Sequence, residues 1–203
     1  MIIETFTVGM LSTNCYVASS EKTKEAIVID PGLDLPFEAK QIFDHIMKGK
    51  LKVVLILNTH GHQDHISGDA TFQEKYKVPI YIHKFDASLL KDMETEKSPP
   101  SVLLDDGSSV NFGDESLNVM STPGHTPGSI CLVGERLVFT GDTLFNLGIG
   151  RTDFPGGSTK DMRLSLQKLL RLPDYLLIYP GHGPTSIIGE EKRNNPFLLS
   201  HGF

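Results

Sequence analysis

The segment Thr59-His60-Gly61-His62-Gln63-Asp64-His65 constrains this chain more than any other stretch. It follows residues 52–57, a short apolar run rich in β-branched residues, which predicts a buried strand. A strand fixes the backbone at its end, so the side chains of the following loop are held in a shared pocket. In an extended loop His60 and His62 point to the same side, because side chains alternate with period two. The pattern therefore predicts a metal site, with Asp64 and His65 facing a second ion.

Length and composition favour a globular protein with one domain. The chain has 203 residues, enough for one substantial core, so we expect residues 1–203 to form a single domain. The formal net charge of −6 disfavours a nucleic-acid partner, since binding to phosphates normally needs a basic surplus. No apolar run approaches the roughly 20 residues of a membrane helix, and residues 1–10 lack the pattern of a signal peptide. Cys15 and Cys131 are too few for a disulfide framework, and together these features predict a cytoplasmic protein with no membrane partner.

Hydrophobic periodicity predicts a mixed α/β (α+β) fold. Apolar runs and period-two alternation predict about ten strands, the clearest at residues 2–8, 14–18, 26–29, 52–57, 78–82, 110–112, 117–120, 130–133, 137–140 and 175–179. Helical spacing predicts helices at 37–47, 67–76, 158–170 and 189–194, with Ser158 as an N-cap. Residues 84–101 begin in a helical pattern, which Ser98-Pro99-Pro100 interrupts, and their charges predict a solvated face or a mobile flap.

Three further motifs place a histidine or an aspartate at the end of a predicted strand. His125 lies in Ser121-Thr122-Pro123-Gly124-His125-Thr126-Pro127-Gly128, Asp142 in Phe139-Thr140-Gly141-Asp142-Thr143, and His182 in Tyr179-Pro180-Gly181-His182-Gly183-Pro184. Proline and glycine fix the backbone on both sides of His125 and His182. Each motif alone is weak, since turn histidines and Gly-Asp turns are common.

Taken together, the four motifs resemble the metallo-β-lactamase superfamily and specifically its dinuclear hydrolases. The resemblance implies a four-layer αββα sandwich, in which helices lie outside two mixed sheets and the metals lie at one edge between them. It also implies that Asp30, in Val28-Ile29-Asp30-Pro31-Gly32, supports the metal loop through a histidine N–H. Two divalent ions are implied, zinc first with iron or manganese also compatible, bound by His60, His62 and His125, by Asp64, His65 and His182, and by Asp142 between them.

A site of this kind predicts hydrolysis of an acyl bond. Ligands without cysteine are typical of catalytic metal sites, which keep a position open for water. Water between two dications ionises near neutral pH, and the ions polarise the substrate carbonyl. A thioester suits the site because a cysteine-like leaving thiol has a pKa of about 8.5. Asp64 and Asp142 are the candidate catalytic residues, and Asp64 is expected to take a proton in addition to binding metal.

At Asp64-His65 the motif resembles that of hydroxyacylglutathione hydrolases of the glyoxalase II type more than that of classical β-lactamases. Residues 148–154 align with the loop where larger members carry Lys-x-Tyr to hold glutathione, and Arg151 and Asp153 occupy those positions here. The segment after His182 resembles the compact, single-domain subgroup. The resemblance thus implies cleavage of S-lactoylglutathione or a related acyl-thioester, a small-molecule partner. Arg151 is the candidate substrate residue, unless it only pairs with Asp153.

Two other functions remain open. Residues 150–154 also resemble the persulfide dioxygenases of the same superfamily, which use one iron held by the equivalents of His60, His125 and Asp142. The motif Pro180-Gly181-His182 favours the hydrolases, because those dioxygenases usually carry Pro-Ala-His. A nucleic-acid-processing member would require an inserted domain or a basic face, and the sequence indicates neither.

Overall fold

Two six-stranded mixed sheets form the frame of the computed structural model, which describes residues 1–91 and 102–199. The first sheet contains, in spatial order, β1 (Ile2–Val8), β2 (Thr13–Ser19), β3 (Glu25–Ile29), β4 (Lys52–Leu57), β5 (Ile80–His83) and β6 (Val102–Leu104). The second contains β7 (Ser109–Phe112), β8 (Glu115–Ser121), β9 (Ile130–Val133), β10 (Leu137–Gly141), β13 (Leu177–Pro180) and β14 (Ser186–Ile187). A small hairpin pairs β11 (Leu144–Phe145) with β12 (Gly148–Ile149).

Seven helices complete the described part of the chain. They are α1 (Pro36–Lys48), α2 (Gln63–Ile66), α3 (Asp69–Tyr76), α4 (Ala87–Lys91), α5 (Thr159–Leu169), α6 (Ile188–Asn194) and α7 (Pro196–Leu199). Ser158 caps α5, since its hydroxyl accepts a hydrogen bond from the Asp161 N–H. Among these described helices, none has the length and apolar character needed to cross a membrane.

The apolar side chains form three layers that hold the sheets and helices together. Alternation along β2 sends Tyr16 toward the second sheet, where it packs with Phe139, and sends Cys15 toward the helices on the other side. The outer layer of the first sheet contains Ile42 of α1 and Phe72 of α3, and the outer layer of the second contains residues of α5 and α6. The predicted αββα sandwich is therefore confirmed.

Strand direction brings the predicted site motifs to one edge of the sandwich. Strands β3, β4 and β5 run parallel in the first sheet, as do β10 and β13 in the second. Strand β8 is antiparallel to β9, which is antiparallel to β10, so β8 and β10 also share a direction. A backbone bond from the Ile130 N–H to the Thr59 carbonyl (2.9 Å) joins the two sheets at this edge. The loops after β3, β4, β8, β10 and β13 consequently meet.

Several predicted boundaries were wrong. The helix predicted at 67–76 is α3, which begins two residues later at Asp69. A short helix that was not predicted, α2, precedes it and carries Asp64 and His65, with a break between the two helices. The break occurs at Gly68, whose N–H is bound by the Pro31 carbonyl at 2.7 Å. The last long strand begins at Leu177 rather than at residue 175, because residues 173–176 form a turn. Four very short strands, β6, β11, β12 and β14, were not predicted, since each has only two or three residues and shows no apolar pattern long enough to detect.

The structure also bears on the predictions for the two cysteines and for residues 84–101. Cys15 and Cys131 are free and buried, as predicted, and burial raises the pKa of the Cys131 thiol to about 11. The helical start of residues 84–101 is confirmed by α4. The break predicted at 98–100 lies outside the described residues.

Candidate metal centre

All seven side chains of the implied ligand set converge at the shared edge. They form three overlapping groups, and within each group the potential ligand atoms lie within 4.8 Å of one another. The groups are His60, His62 and His125; His60, His65 and Asp142; and Asp64, His65 and His182. The first and third groups have no residue in common, and the group that contains Asp142 shares His60 with the first and His65 with the third.

The histidine rings are oriented by hydrogen bonds on the side facing away from the cluster. The Nδ1 atoms are bound to neighbouring oxygens: His60 to Thr59 Oγ1 at 3.2 Å, His65 to Asp30 Oδ2 at 3.0 Å, His125 to the Arg151 carbonyl at 2.8 Å and His182 to the Leu11 carbonyl at 3.1 Å. A carbonyl can only accept, so Nδ1 of His125 and of His182 carries the proton. Nε2 of each ring faces the cluster, where it can offer its lone pair to a metal ion once it has lost its proton.

His62 presents the other ring nitrogen. Its Nδ1 lies 2.8 Å from Nε2 of His125, so these two nitrogens approach a common point. On the other side, Nε2 of His65 lies 3.3 Å from Nε2 of His182. Two imidazole nitrogens that share a tetrahedral zinc ion are about 3.4 Å apart, which the separation between His65 and His182 matches.

The carboxylate of Asp142 lies between these two pairs. Its Oδ2 is 3.4 Å from His125 Nε2 and 3.5 Å from His182 Nε2, and its Oδ1 is 3.4 Å from His65 Nε2. A Cβ on Gly181 would lie 2.2 Å from Asp142 Oδ1, so the Pro180-Gly181-His182 turn needs glycine to approach this closely. Within the described chain, buried Asp142 Oδ1 and His60 Nε2 have no hydrogen-bond partner. Buried polar atoms are rarely left unbound, so this donor set fits a divalent metal.

The histidines and acids of the cluster influence one another's protonation. Burial lowers the pKa of His60. Burial also acts to lower the pKa of His182, but its hydrogen bonds to Asp142 and Asp64 outweigh this and raise the value to about 10. Burial acts to raise the pKa of Asp142, yet the charge of His65 and the contact with His182 lower it. The acids are therefore ionised at neutral pH, as ligands for a dication must be.

Asp30 contacts the cluster through His65. Besides the bond from His65, its carboxylate accepts hydrogen bonds from the Thr59 N–H at 2.7 Å and from the Thr59 hydroxyl at 2.6 Å. Its backbone is left-handed, with φ of 50°, a conformation that costs a non-glycine residue free energy. The Asp30 side chain thus holds the loop after β4 and the His65 ring in place, which is the supporting role that the family resemblance implied.

Residues of β2 that the sequence did not single out fix the loop of His182. Asn14 Nδ2 donates to the carbonyls of Pro180 (3.0 Å) and Gly183 (2.8 Å), and the Tyr16 hydroxyl donates to Pro180 at 2.5 Å. These bonds connect the first sheet to the last loop of the second. The only signal available in the sequence was an asparagine within an apolar strand, which costs stability unless its amide is bound.

A cavity of about 820 Å³ opens onto the cluster. Arg151 lines it, but Nε and Nη2 of its guanidinium each bind Asp153 at 2.7 Å, and the guanidinium lies 3.9 Å from the ring centroid of Phe154. The structure therefore contains the surface ion pair between Arg151 and Asp153 that the alternative interpretation predicted. Its role in substrate binding stays a prediction. The apolar part of the cavity wall is formed by Leu11, Leu89, Phe145, Ile149, Phe154 and Pro155.

Solved structures with the same fold include several metalloproteins. The crystal structure of BLEG-1 B3 metallo-beta-lactamase superposes with a TM-score of 0.88 at 32% identity, covering 98% of this chain and 100% of that one. The structure of TTHA1623 in a di-iron-bound form gives a TM-score of 0.84 at 33% identity, covering 96% of this chain and 100% of that one.

Curated relatives cover nearly the whole chain and include different activities. The probable metallo-hydrolase YqgX of Bacillus subtilis is 36% identical over 94% of both chains. The hydroxyacylglutathione hydrolase GloC of Haemophilus influenzae is 33% identical over 98% of this chain and 99% of its own. The mitochondrial persulfide dioxygenase ETHE1 of Mus musculus is 32% identical over 92% of this chain and 71% of its own.

The family model gives the most direct assignment. The model described as metallo-beta-lactamase superfamily matches residues 8–182, a range that contains all seven donors and Asp30. This superfamily binds divalent metals through a cluster of histidine and aspartate side chains, and such a cluster is present here. The chain belongs to the metallo-β-lactamase superfamily.

Proposed function

We propose that this chain is a metal-dependent hydrolase that cleaves acyl thioesters, with S-lactoylglutathione as the first substrate to test. The position of Asp142 between two pairs of imidazole nitrogens supports the proposal most. Two dications held close together would repel each other, and the carboxylate of Asp142 would offset that repulsion. We assign His60, His62 and His125 to one ion, Asp64, His65 and His182 to the other, and Asp142 to both.

When bound, divalent ions would ionise a water near neutral pH and polarise the substrate carbonyl. The protein contributes orientation, since hydrogen bonds at Nδ1 fix His65, His125 and His182 before anything binds. Asp64 lines the cavity, and its Oδ2 accepts a hydrogen bond from the Thr13 hydroxyl at 3.1 Å. We propose that this carboxylate also takes a proton during hydrolysis. Zinc is the first choice of metal, and the di-iron-bound neighbour is a reason to test iron as well.

The cavity supports a thioester as the substrate class. Its apolar walls suit the organic part of an acyl thioester, and a thiolate leaves without strong acid assistance. Arg151 is the one lysine or arginine among the described residues that line the cavity, so it is the available cationic partner for a substrate carboxylate. Similarity to the hydroxyacylglutathione hydrolase GloC supports the same class.

We further propose that the protein works as a single domain in the cytoplasm on a small-molecule substrate. The two free, buried cysteines are consistent with a reducing compartment. The net charge of −6 disfavours nucleic acid as a partner.

A persulfide dioxygenase is the second candidate. His125 Nε2 lies 3.4 Å from Asp142 Oδ2, and with His60 these residues supply the two-histidine, one-carboxylate set that holds one iron in such enzymes. The 32% identity with ETHE1 favours the same interpretation.

The two candidates differ in their need for His182. Protein loaded with zinc or with iron is assayed for thiol release from S-lactoylglutathione and for oxygen uptake with glutathione persulfide. We expect thiol release without oxygen uptake. We expect His182→Ala to lower the rate of thiol release by about a hundredfold or more, because the second ion loses a ligand. His45→Ala, a histidine of α1 outside the cluster, is the matched control. Oxygen uptake that survives His182→Ala would instead establish the dioxygenase.

A further inference from the structure

A carboxylate outside the donor set, Asp86, lies fully buried behind the first histidine group. It occupies the turn between β5 and α4. An aspartate after a strand is usually a turn former, so nothing in the sequence singled out Asp86. Its contacts, however, are directed away from its own turn and toward the two loops that carry His60, His62 and His125.

Both carboxylate oxygens of Asp86 are used. Oδ2 accepts hydrogen bonds from the Gly61 N–H at 2.9 Å and from the Thr126 hydroxyl at 2.5 Å, and Oδ1 accepts one from the Gly128 N–H at 2.7 Å. Gly61 stands between His60 and His62, and Thr126 directly follows His125. A single side chain therefore connects the loop after β4 to the loop after β8.

The chemistry of this contact requires a carboxylate. Three donors converge on it, and all three are neutral, so the buried charge is stabilised by hydrogen bonds from the two loops. An asparagine would offer one acceptor oxygen and would turn an NH₂ group toward another donor. The fit is also close, because a Cβ on Gly128 would lie 2.5 Å from Asp86 Cγ.

We propose that Asp86 is a positioning residue for the metal site formed by His60, His62 and His125. It acts by setting the distance between two loops, and the separation of 2.8 Å between His62 Nδ1 and His125 Nε2 is the quantity that it controls. The inference rests on the proposed function, since it requires a metal at these histidines. Asp30 has the complementary position, because it contacts His65 of the other group.

The test uses two backgrounds, each of which removes one ligand. His182→Ala leaves the donors of the first group intact, and His62→Ala leaves those of the second. Zinc affinity is measured in each background by competition with a chelator, with and without Asp86→Asn. We expect Asp86→Asn to weaken zinc binding about ten- to a hundredfold in the His182→Ala background, the range for residues that orient metal ligands. In the His62→Ala background we expect Asp86→Asn to change zinc affinity by less than threefold.

Two further variants keep the test informative if Asp86→Asn does not fold. Thr126→Val removes one of the three bonds to Asp86, and we expect about a threefold loss of zinc affinity confined to the first group, with recovery in Thr126→Ser. Glu191→Gln is the matched control, since Glu191 is also a buried carboxylate and accepts its hydrogen bonds from Leu147, Ser186 and Asn195, none of which lies on either loop. It should leave zinc affinity in the first group unchanged.

The possible outcomes separate this inference from the proposed function. If the unmodified protein binds no divalent metal, the proposed function fails and this inference fails with it. If the unmodified protein binds zinc but Asp86→Asn weakens zinc binding equally in both backgrounds, Asp86 has only a structural role. The proposed function then still stands.

Discussion

At the scale of single residues, the anionic bridge is the most specific feature of the proposed site. Asp142→Asn keeps the shape of the side chain and removes its charge. We expect weaker binding of one metal equivalent and a fall in kcat of at least about a hundredfold, because a neutral amide cannot hold two dications together. Metal titration and steady-state kinetics of the variant check this. Near-normal turnover with two ions retained would show that Asp142 does not bridge.

Arg151 provides a second test at this scale. Because Asp153 occupies Nε and Nη2, a substrate carboxylate must compete for the guanidinium. We expect Arg151→Ala to raise KM for S-lactoylglutathione about two- to fivefold with kcat little changed, since an exposed ion pair has a modest effect. Asp153→Asn should lower that KM, because it frees the guanidinium. A neutral thioester is the control, and equal effects on both substrates would contradict a role in carboxylate binding.

Residue type decided which parts of the site could be predicted. Histidine and aspartate at the ends of strands are chemically distinctive, so the four motifs could be identified in the sequence, and their resemblance to a known family then implied the seven ligands and the role of Asp30. The carbonyls of Leu11 and Arg151, which orient His182 and His125, could not, since every residue carries a carbonyl. Asp86 was also missed, because its importance depends on contacts with residues 61, 126 and 128 that only the fold creates.

At the scale of elements, β2 holds the loop of His182 in place. Asn14→Ala would leave the Gly183 carbonyl without its side-chain donor and the Pro180 carbonyl with the Tyr16 hydroxyl alone, so we expect a loss of about 1–3 kcal/mol in the free energy of unfolding. Binding of the metal at Asp64, His65 and His182 should weaken in the same variant. Denaturant unfolding and metal titration measure the two effects, with exposed Asn118→Ala on β8 as the control. Unchanged metal affinity would show that the loop holds His182 without β2.

Elements with strong periodicity were predicted well, and elements that depend on tertiary contacts were not. The bounds of β4 were predicted correctly and those of α5 to within one residue, because apolar spacing and a serine cap define them locally. The short helix α2 was missed, because its four residues carry no periodic signal and its separation from α3 depends on the approach of Gly68 to the carbonyl of Pro31. Periodicity alone predicted only mixed α and β, and the four-layer arrangement came from the family resemblance.

At the scale of the whole molecule, metal binding should stabilise the fold. The donors come from loops of both sheets, so a bound ion would connect the two halves of the sandwich. A chelator should therefore lower Tm by roughly 10 °C, an estimate that takes two ions at about a hundredfold excess over Kd in a chain of this size. Calorimetry with and without chelator, followed by re-addition of zinc, is the measurement. No change in Tm on removal of bound metal would contradict a centre that joins the sheets.

The metal content of the purified protein shows whether the centre holds two ions or one. Elemental analysis of protein produced with ample zinc or iron gives the number of ions per chain. We expect a value approaching two, because Asp142 lies between a first group of donors that includes His125 and a second that includes His182. A firm value of one, with iron as the metal, would contradict the dinuclear hydrolase.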